Sequence, residues 1–212
     1  MYLYNSNDDD NPADGGYEMK SIVCISSADL KNWTDHGEVF RVPAGASWAG
    51  YSWAPYTLEK GGQFYLYFGN NAGGVGVASS TTPTGEFKDA KGSALINGST
   101  PGAAGTNSWL FDPGALIDDD GQAYLAFGGN GETNARIIKL GADLVSVSGS
   151  AAALAPQGLF RSVVPVQAQR CLLLRVLDEY RERPAHRLHD EQQPDDWLHV
   201  QGHPRGPTTV EQ

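Results

Sequence analysis

FDPGALIDDDGQAYLAFGG, residues Phe111 to Gly129, reads as two apolar strands folded about an acidic turn. Asp118, Asp119 and Asp120 with Gly121 make the turn, because Asp tolerates turn geometry and Gly supplies positive φ. AYLAF is the returning strand. Asp112 has no such role. It stands with Pro113 at the mouth of the first strand, where its plain reading is a turn or capping residue held extended by the proline. The sharper reading is a carboxylate delivered to a pocket.

Working outward, YLAFGG from Tyr124 echoes YLYFGN from Tyr65 and YLYNSN from Tyr2, with spacings of 59 and 63 residues. The second and third copies share a longer frame: a short apolar strand, a turn (EKGG or DDDG), then the aromatic strand. Another strand candidate follows each copy, SIVCISS, GVGVASS or NARIIKL, and then a polar stretch such as ADLKNWTDHGEVF or TTPTGEFKDAKG. About four short strands per repeat of this length is the pattern of a β-propeller blade. A β-sandwich with chance strand similarity is the competing architecture.

Composition agrees with an all-β chain. The 212 residues carry 26 glycines and a formal charge of −10. That balance opposes a nucleic-acid surface, and no apolar run is long enough for a membrane span. Cys24, inside SIVCIS, reads as a buried thiol rather than half of a disulfide. The chain opens at MYLYNSND, already inside a strand, so the missing leader is uninformative.

After Phe160 the composition changes. Residues 1–160 hold two Arg, six Lys, one His and 24 Gly, whereas residues 161–212 hold seven Arg, no Lys, four His and two Gly. The expected organisation is therefore a partial propeller domain over 1–160 and a tail over 161–212. The tail is expected to be disordered, irregular, or helical around Leu172–Arg183.

NWTDHGEVF (Asn32–Phe40), SWAPYTLEKGGQFYLYF (Ser52–Phe68) and the opening stretch together resemble glycoside hydrolase family 43. The resemblance runs from residue 2 to about 160, with the motifs in the family's order. It implies a five-bladed β-propeller that removes arabinofuranosyl or xylosyl units from plant polysaccharides, with about three blades present here. It also implies three carboxylates at the axial pocket: a base Asp, a second Asp that tunes the acid, and an acid Glu. An inverting glycosidase needs a base to activate water on one face of the sugar and an acid on the other. A neighbouring negative charge keeps that acid protonated near neutral pH.

Asp112 matches the tuning Asp. The base falls upstream of Met1 by position, and the acid is expected near Phe160, so the chain as written is expected to be inactive. Asp8, Asp9, Asp10 and Asp14 read as a solvated loop rather than a metal site. Trp53 in SWAP is a candidate for stacking on a sugar, against ordinary packing between blades. Trp48 and Trp109 precede the same strands by a few residues and are further candidates for the pocket mouth. Trp33 reads as structural, His36 as a surface or turn residue, and Asn70 with Asn71 as a pocket-side loop or plain turn. No cofactor is needed for the chemistry, although an axial structural ion is compatible with the resemblance. The implied partner is a cell-wall polysaccharide or oligosaccharide, with no nucleic acid and no membrane, and the parent protein is expected outside the cell. The rival readings are a sugar-binding propeller without catalysis, a related fructoside-cleaving furanosidase, and a tail that is a genuine helical appendage.

The tail also admits a coding explanation. Read one base out of phase, suitable codons for the bases from Phe160 onward allow FEASFLFKRNGVYYFEYSTN. Leu172 to Val176, as CTA-CTA-CTT-CGA-GTA followed by C, becomes Tyr-Tyr-Phe-Glu-Tyr. The recovered string resembles the family's fourth blade, and its Glu is read from the bases that encode Arg161 and Ser162. Sequencing the coding DNA is expected to return this string in the shifted frame; codons that cannot yield it refute the shift.

Overall fold

The structure, a computed structural model, describes residues 1–8, 18–71, 73–103, 109–129 and 134–154, together with the backbone of strands within 162–168, 171–177 and 198–200. Among the described residues every regular element is a strand. The first sheet holds β1 (Tyr2–Asp8), β2 (Met19–Ser26) and β3 (Thr34–Arg41), in that order. The second holds β4 (Trp53–Lys60), β5 (Gln63–Gly69), β6 (Val75–Ser80) and β7 (Lys88–Asp89), again in chain order. The third runs β8 (Gly114–Ile117), β9 (Ala123–Phe127), β10 (Arg136–Leu140) and β11 (Val147–Ala153). The fourth comprises β12 (Ser162–Ala168), β13 (Cys171–Leu177) and β14 (Leu198–Val200).

These sheets are successive blades. β1 lies against β4, β4 against β8, and β8 against β12. The three-fold echo of the sequence is a true structural repeat, as the registers show. Tyr2 pairs with Ser26 and Tyr65 with Ser79; Leu3 faces Ile25 as Leu66 faces Ala78; Tyr4 faces Cys24 as Tyr67 faces Val77. One strand further out, Ile25 pairs with Asp35 as Ala78 pairs with Asp89. β1, β2 and β3 therefore correspond to β5, β6 and β7. Among the described residues the first sheet has no counterpart of β4 or β8.

Blade two is buried on both faces, which explains why QFYLYFG is continuously apolar instead of alternating. Tyr67 of β5 and Val75 and Val77 of β6 pack with Leu125 and Phe127 of β9 in one core. Leu66 and Phe68, pointing the other way, join Ile22, Cys24, Val39, Phe40 and Phe87 in a second core against blade one. The alternation of β5 thus feeds two cores at once. Each fully buried Leu or Phe contributes about 1.5–3 kcal/mol. Cys24 is a free, buried thiol.

The turns behave as their residues dictate. Gly121 (φ 82°) closes the acidic hairpin by donating its N–H to Asp118 O at 2.8 Å. Asp118 and Asp120 accept the N–H groups of Asp119 and Gln122, both at 2.8 Å.

Part of the tail is described as strands. Residues 171–177 form a strand, where a helix around Leu172–Arg183 or an irregular segment was expected, and 162–168 pair with them as an antiparallel hairpin. The physical reason is composition: SVVPVQA and CLLLRVL are rich in β-branched and large apolar residues, which favour a pleated surface. Apart from β14, which pairs parallel with β13, the remainder of 161–212 lies outside the described residues.

One buried tie between blades is testable. Tyr67 donates its hydroxyl to Leu144 O at 2.9 Å, and burial pushes the phenol pKa well above its ordinary range, so it stays a donor. Tyr67→Phe leaves that carbonyl without its partner and is expected to cost about 1–3 kcal/mol in urea denaturation. An unchanged midpoint would show that the tie adds nothing.

Candidate active site

Asp112 lies two residues before β8, the edge strand of blade three that packs against β4 and β12, and is 9 % exposed. Among the described residues it is the one buried carboxylate; the other Asp and Glu side chains are half-buried or exposed. A carboxylate is buried only where its surroundings offset the desolvation cost. Its backbone is unusual too. Asp112 has φ 49°, a left-handed conformation, directly before Pro113.

Blade two repeats this geometry with different chemistry. Ala54, the residue before Pro55, has φ 43°. WAPYTL and FDPGAL are thus the same structural piece, with Trp53 in the place of Phe111 and Ala54 in the place of Asp112. Left-handed backbone costs an L-residue about 1–2 kcal/mol and persists only where packing imposes it. The repetition at two blade mouths makes it a property of the fold. The carboxylate is what blade three adds.

What imposes it is the seam between blades. The Phe111 ring lies on the α-carbon of Gly69 at the end of β5: a Cβ there would meet Phe111 Cδ2 at 2.7 Å and Cε2 at 2.8 Å. Phe111 O accepts the N–H of Gly128 at 2.7 Å. At the preceding seam Ser6, which stands in β1 where Gly69 stands in β5, accepts the Ala54 N–H on its Oγ at 2.8 Å.

Two aromatic rings meet Phe111. Trp53 and Phe111 have ring centroids 5.8 Å apart at 58°, and Trp109 meets Phe111 edge-on at 5.3 Å. The structure therefore brings Trp53 and Trp109 onto Phe111, the residue that precedes Asp112 and that the sequence reading passed over. Trp109 Nε1 is buried without a hydrogen-bond partner among the described residues.

Trp48 is placed elsewhere. Its ring stacks on Phe68 at 5.9 Å, and its Nε1 donates to Asp89 Oδ2 on the outermost strand at 2.7 Å. It belongs to the core between blades one and two. Asn70 also serves the framework, its Oδ1 accepting the N–H groups of Gly50 and Tyr51 at 3.0 and 3.1 Å. His36 has a partner after all, with Nε2 2.7 Å from Ser26 Oγ. Trp33 is 40 % exposed.

Two carboxylates line a cavity away from Asp112. Glu38 and Glu86 line a cavity of about 240 Å³ at the outer seam of blades one and two. Both are exposed and paired, with Arg41 and Lys88. Asp8 is exposed and accepts the Glu18 N–H at 2.8 Å, while Asp9, Asp10 and Asp14 lie outside the described residues, as does Arg161.

The comparison with known proteins follows the same lines. Residues 1–169 match the family described as glycosyl hydrolases family 43. The chain belongs to that family. An arabinoxylan arabinofuranohydrolase of Paenibacillus polymyxa is 41 % identical over 182 residues, covering 75 % of this chain and 28 % of the relative. A protein of the same name from Bacillus subtilis (strain 168) is 39 % identical over 186 residues, covering 73 % and 36 %. An α-L-arabinofuranosidase structure from Clostridium thermocellum ATCC 27405 superposes with a TM-score of 0.72 at 47 % identity, over 79 % of this chain and 56 % of that one. The chain thus spans about a third of the length of the two curated relatives. Its sheets are part of the family 43 five-bladed propeller, and the match continues beyond Phe160 into β12.

The left-handed backbone before proline predicts an inverted substitution effect. Ala54→Gly is expected to raise stability by about 1 kcal/mol, because Gly adopts φ 43° freely. Ala115→Gly, in the regular part of β8, is expected to lower it by about 0.5–1 kcal/mol. Urea midpoints that fall equally for both would contradict the strain.

Proposed function

We propose that this chain is part of a glycosidase that removes terminal arabinofuranosyl or xylosyl units from plant polysaccharides such as arabinoxylan, arabinan or xylan, by single displacement with inversion. The observation that carries the reading is Asp112, a buried carboxylate just before β8 and next in the chain to Phe111, on which Trp53 and Trp109 pack, in a family 43 chain. Aromatic faces suit the C–H face of a sugar ring, and Trp53 and Trp109 are the side chains here that offer them. A polymer of this kind does not cross a membrane intact, so the parent protein works outside the cell.

In this mechanism Asp112 does not attack or transfer a proton. Its negative charge, in a site shielded from water, disfavours ionisation of a nearby carboxylic acid and holds that acid protonated until it meets the leaving oxygen. Inversion also requires a base about 6.5–9.5 Å from the acid, leaving room for water. Among the described residues Asp112 has no second buried carboxylate beside it. We therefore propose that the 212-residue chain alone does not turn over substrate. The seam at Gly69 and the Gly128–Phe111 hydrogen bond fix where Asp112 starts its strand.

Two measurements test this. The isolated chain is expected to release no arabinose or xylose from 4-nitrophenyl α-L-arabinofuranoside or β-D-xyloside, and turnover at family-like rates would overturn the assignment. In the full-length protein, Asp112→Asn is expected to lower kcat about a hundredfold or more while calorimetric binding of arabino-oligosaccharides is retained. Unchanged turnover, or binding with no turnover in the unaltered protein, would favour a sugar-binding propeller without catalysis.

A further inference from the structure

We propose that Asn97 is a site of spontaneous deamidation through a cyclic imide with Gly98, and that the isoaspartate so formed unties residues 97–103 from blade three. Asparagine is a thermolabile residue, and its local surroundings decide which copy reacts. Asn97, Gly98 and Ser99 are exposed, and a Cβ at Gly98 would meet nothing within 4 Å. The Gly98 nitrogen is therefore open to move onto the Asn97 side chain, with no side chain of its own in the way. Among the described residues, Asn5, Asn7, Asn32, Asn70, Asn71 and Asn134 each precede a residue that carries a side chain.

The turn also presents the reacting group. Asn97 Oδ1 accepts the Ser99 N–H at 2.8 Å, which folds the carboxamide back over its own backbone. Attack within the chain needs no encounter, only this geometry. The Ser99 N–H is aimed at the oxygen on which negative charge develops.

The chemistry balances with water alone. The Gly98 nitrogen loses its proton to solvent and bonds to Cγ of Asn97. The Cγ–Nδ2 bond breaks, and the nitrogen leaves as ammonia, closing the imide. Water then opens the ring. Cleavage at Cγ gives aspartate in the normal chain, whereas cleavage at the main-chain carbonyl gives isoaspartate, whose chain runs through Cβ and Cγ. Either product adds one negative charge.

A tie between blades hangs on this turn. Ile96 bridges to Val75 of blade two. Asn97 then closes the turn twice with Thr100, its N–H donating to Oγ1 and its carbonyl accepting the Thr100 N–H, both at 3.0 Å. Beyond it, Pro101 O accepts the Ala151 N–H of β11 at 2.8 Å, and Gly102 O accepts Nε of the buried Arg136 at 3.3 Å. A Cβ at Gly102 would meet Ala151 O at 2.1 Å, so the segment lies tight on blade three. Isoaspartate lengthens the main chain between 97 and 98, so the Thr100 turn no longer closes and Pro101 and Gly102 are drawn off their partners. This inference is independent of any catalytic role.

The 212-residue chain is held folded in mildly alkaline buffer. Chymotryptic peptides are followed by mass spectrometry, with fragmentation to locate each site and enzymatic isoaspartate methylation as a second readout. Asn97 is expected to convert before the six asparagines named above, and Gly98→Ala to slow it at least about tenfold. Earlier conversion of any of those six overturns the inference, as does a Gly98→Ala chain that converts equally fast. In the isoaspartate fraction, amide hydrogen exchange at Thr100 and Ala151 is expected to be about tenfold faster. Asn97→Asp, which carries the acid in a normal chain, is expected to keep that protection. Unchanged exchange in the isoaspartate fraction overturns the untying, and equal loss in Asn97→Asp overturns its cause.

Discussion

Phe111 can lie where it does because Gly69 has no side chain. The ring of one blade resting on the α-carbon of the preceding blade fixes how closely two inner strands approach, and Asp112 follows Phe111 directly. The same place in the first seam is filled by a hydrogen bond from Ala54 N–H to Ser6. Two different contacts thus do one job, holding the start of an inner strand against the end of a neighbouring blade's second strand. Without that hold the left-handed residues before Pro55 and Pro113 would relax to extended backbone, and the carboxylate would turn away.

The apolar cores serve this constraint. β5 sends Tyr67 to one side and Leu66 and Phe68 to the other, so blade two is clamped by both neighbours. Small changes in a close-packed interior are transmitted rather than absorbed. The consequence for chemistry is a carboxylate kept in a defined place in poor contact with water, where it can act on another titrating group. Family 43 membership and the buried position of Asp112 are the two observations on which the proposed function rests.

Much of this was legible in the sequence because repeats report on structure directly. Tyr2, Tyr65 and Tyr124 marked equivalent strands, and the residue pairings agree for the first two copies down to Tyr2–Ser26 and Tyr65–Ser79. The DDDG hairpin followed from the geometry of Asp and Gly. Asp112 stood out because no turn needed it. Trp48 did not yield to the same reasoning: distance along a chain to a strand says nothing about which side of the blade a loop takes, and the indole's bond to Asp89 depends on a contact 41 residues away. The Ser26–His36 pair was hidden for a similar reason, since cross-strand register decides it. Phe111 and Gly69 were readable in hindsight only as a pair. The hairpin of β12 and β13 is built from two runs of strand-forming residues, SVVPVQA and CLLLRVL, inside a charged, glycine-poor stretch.

A double-mutant cycle at the second seam tests the central claim most directly. Urea denaturation is measured for the unaltered chain, Gly69→Ala, Phe111→Ala and the double variant. If the ring truly rests on that α-carbon, Gly69→Ala costs about 2 kcal/mol with Phe111 present and close to nothing once the ring is gone. Equal costs in both backgrounds would mean that the two residues do not meet, and that something other than this seam sets the position of Asp112.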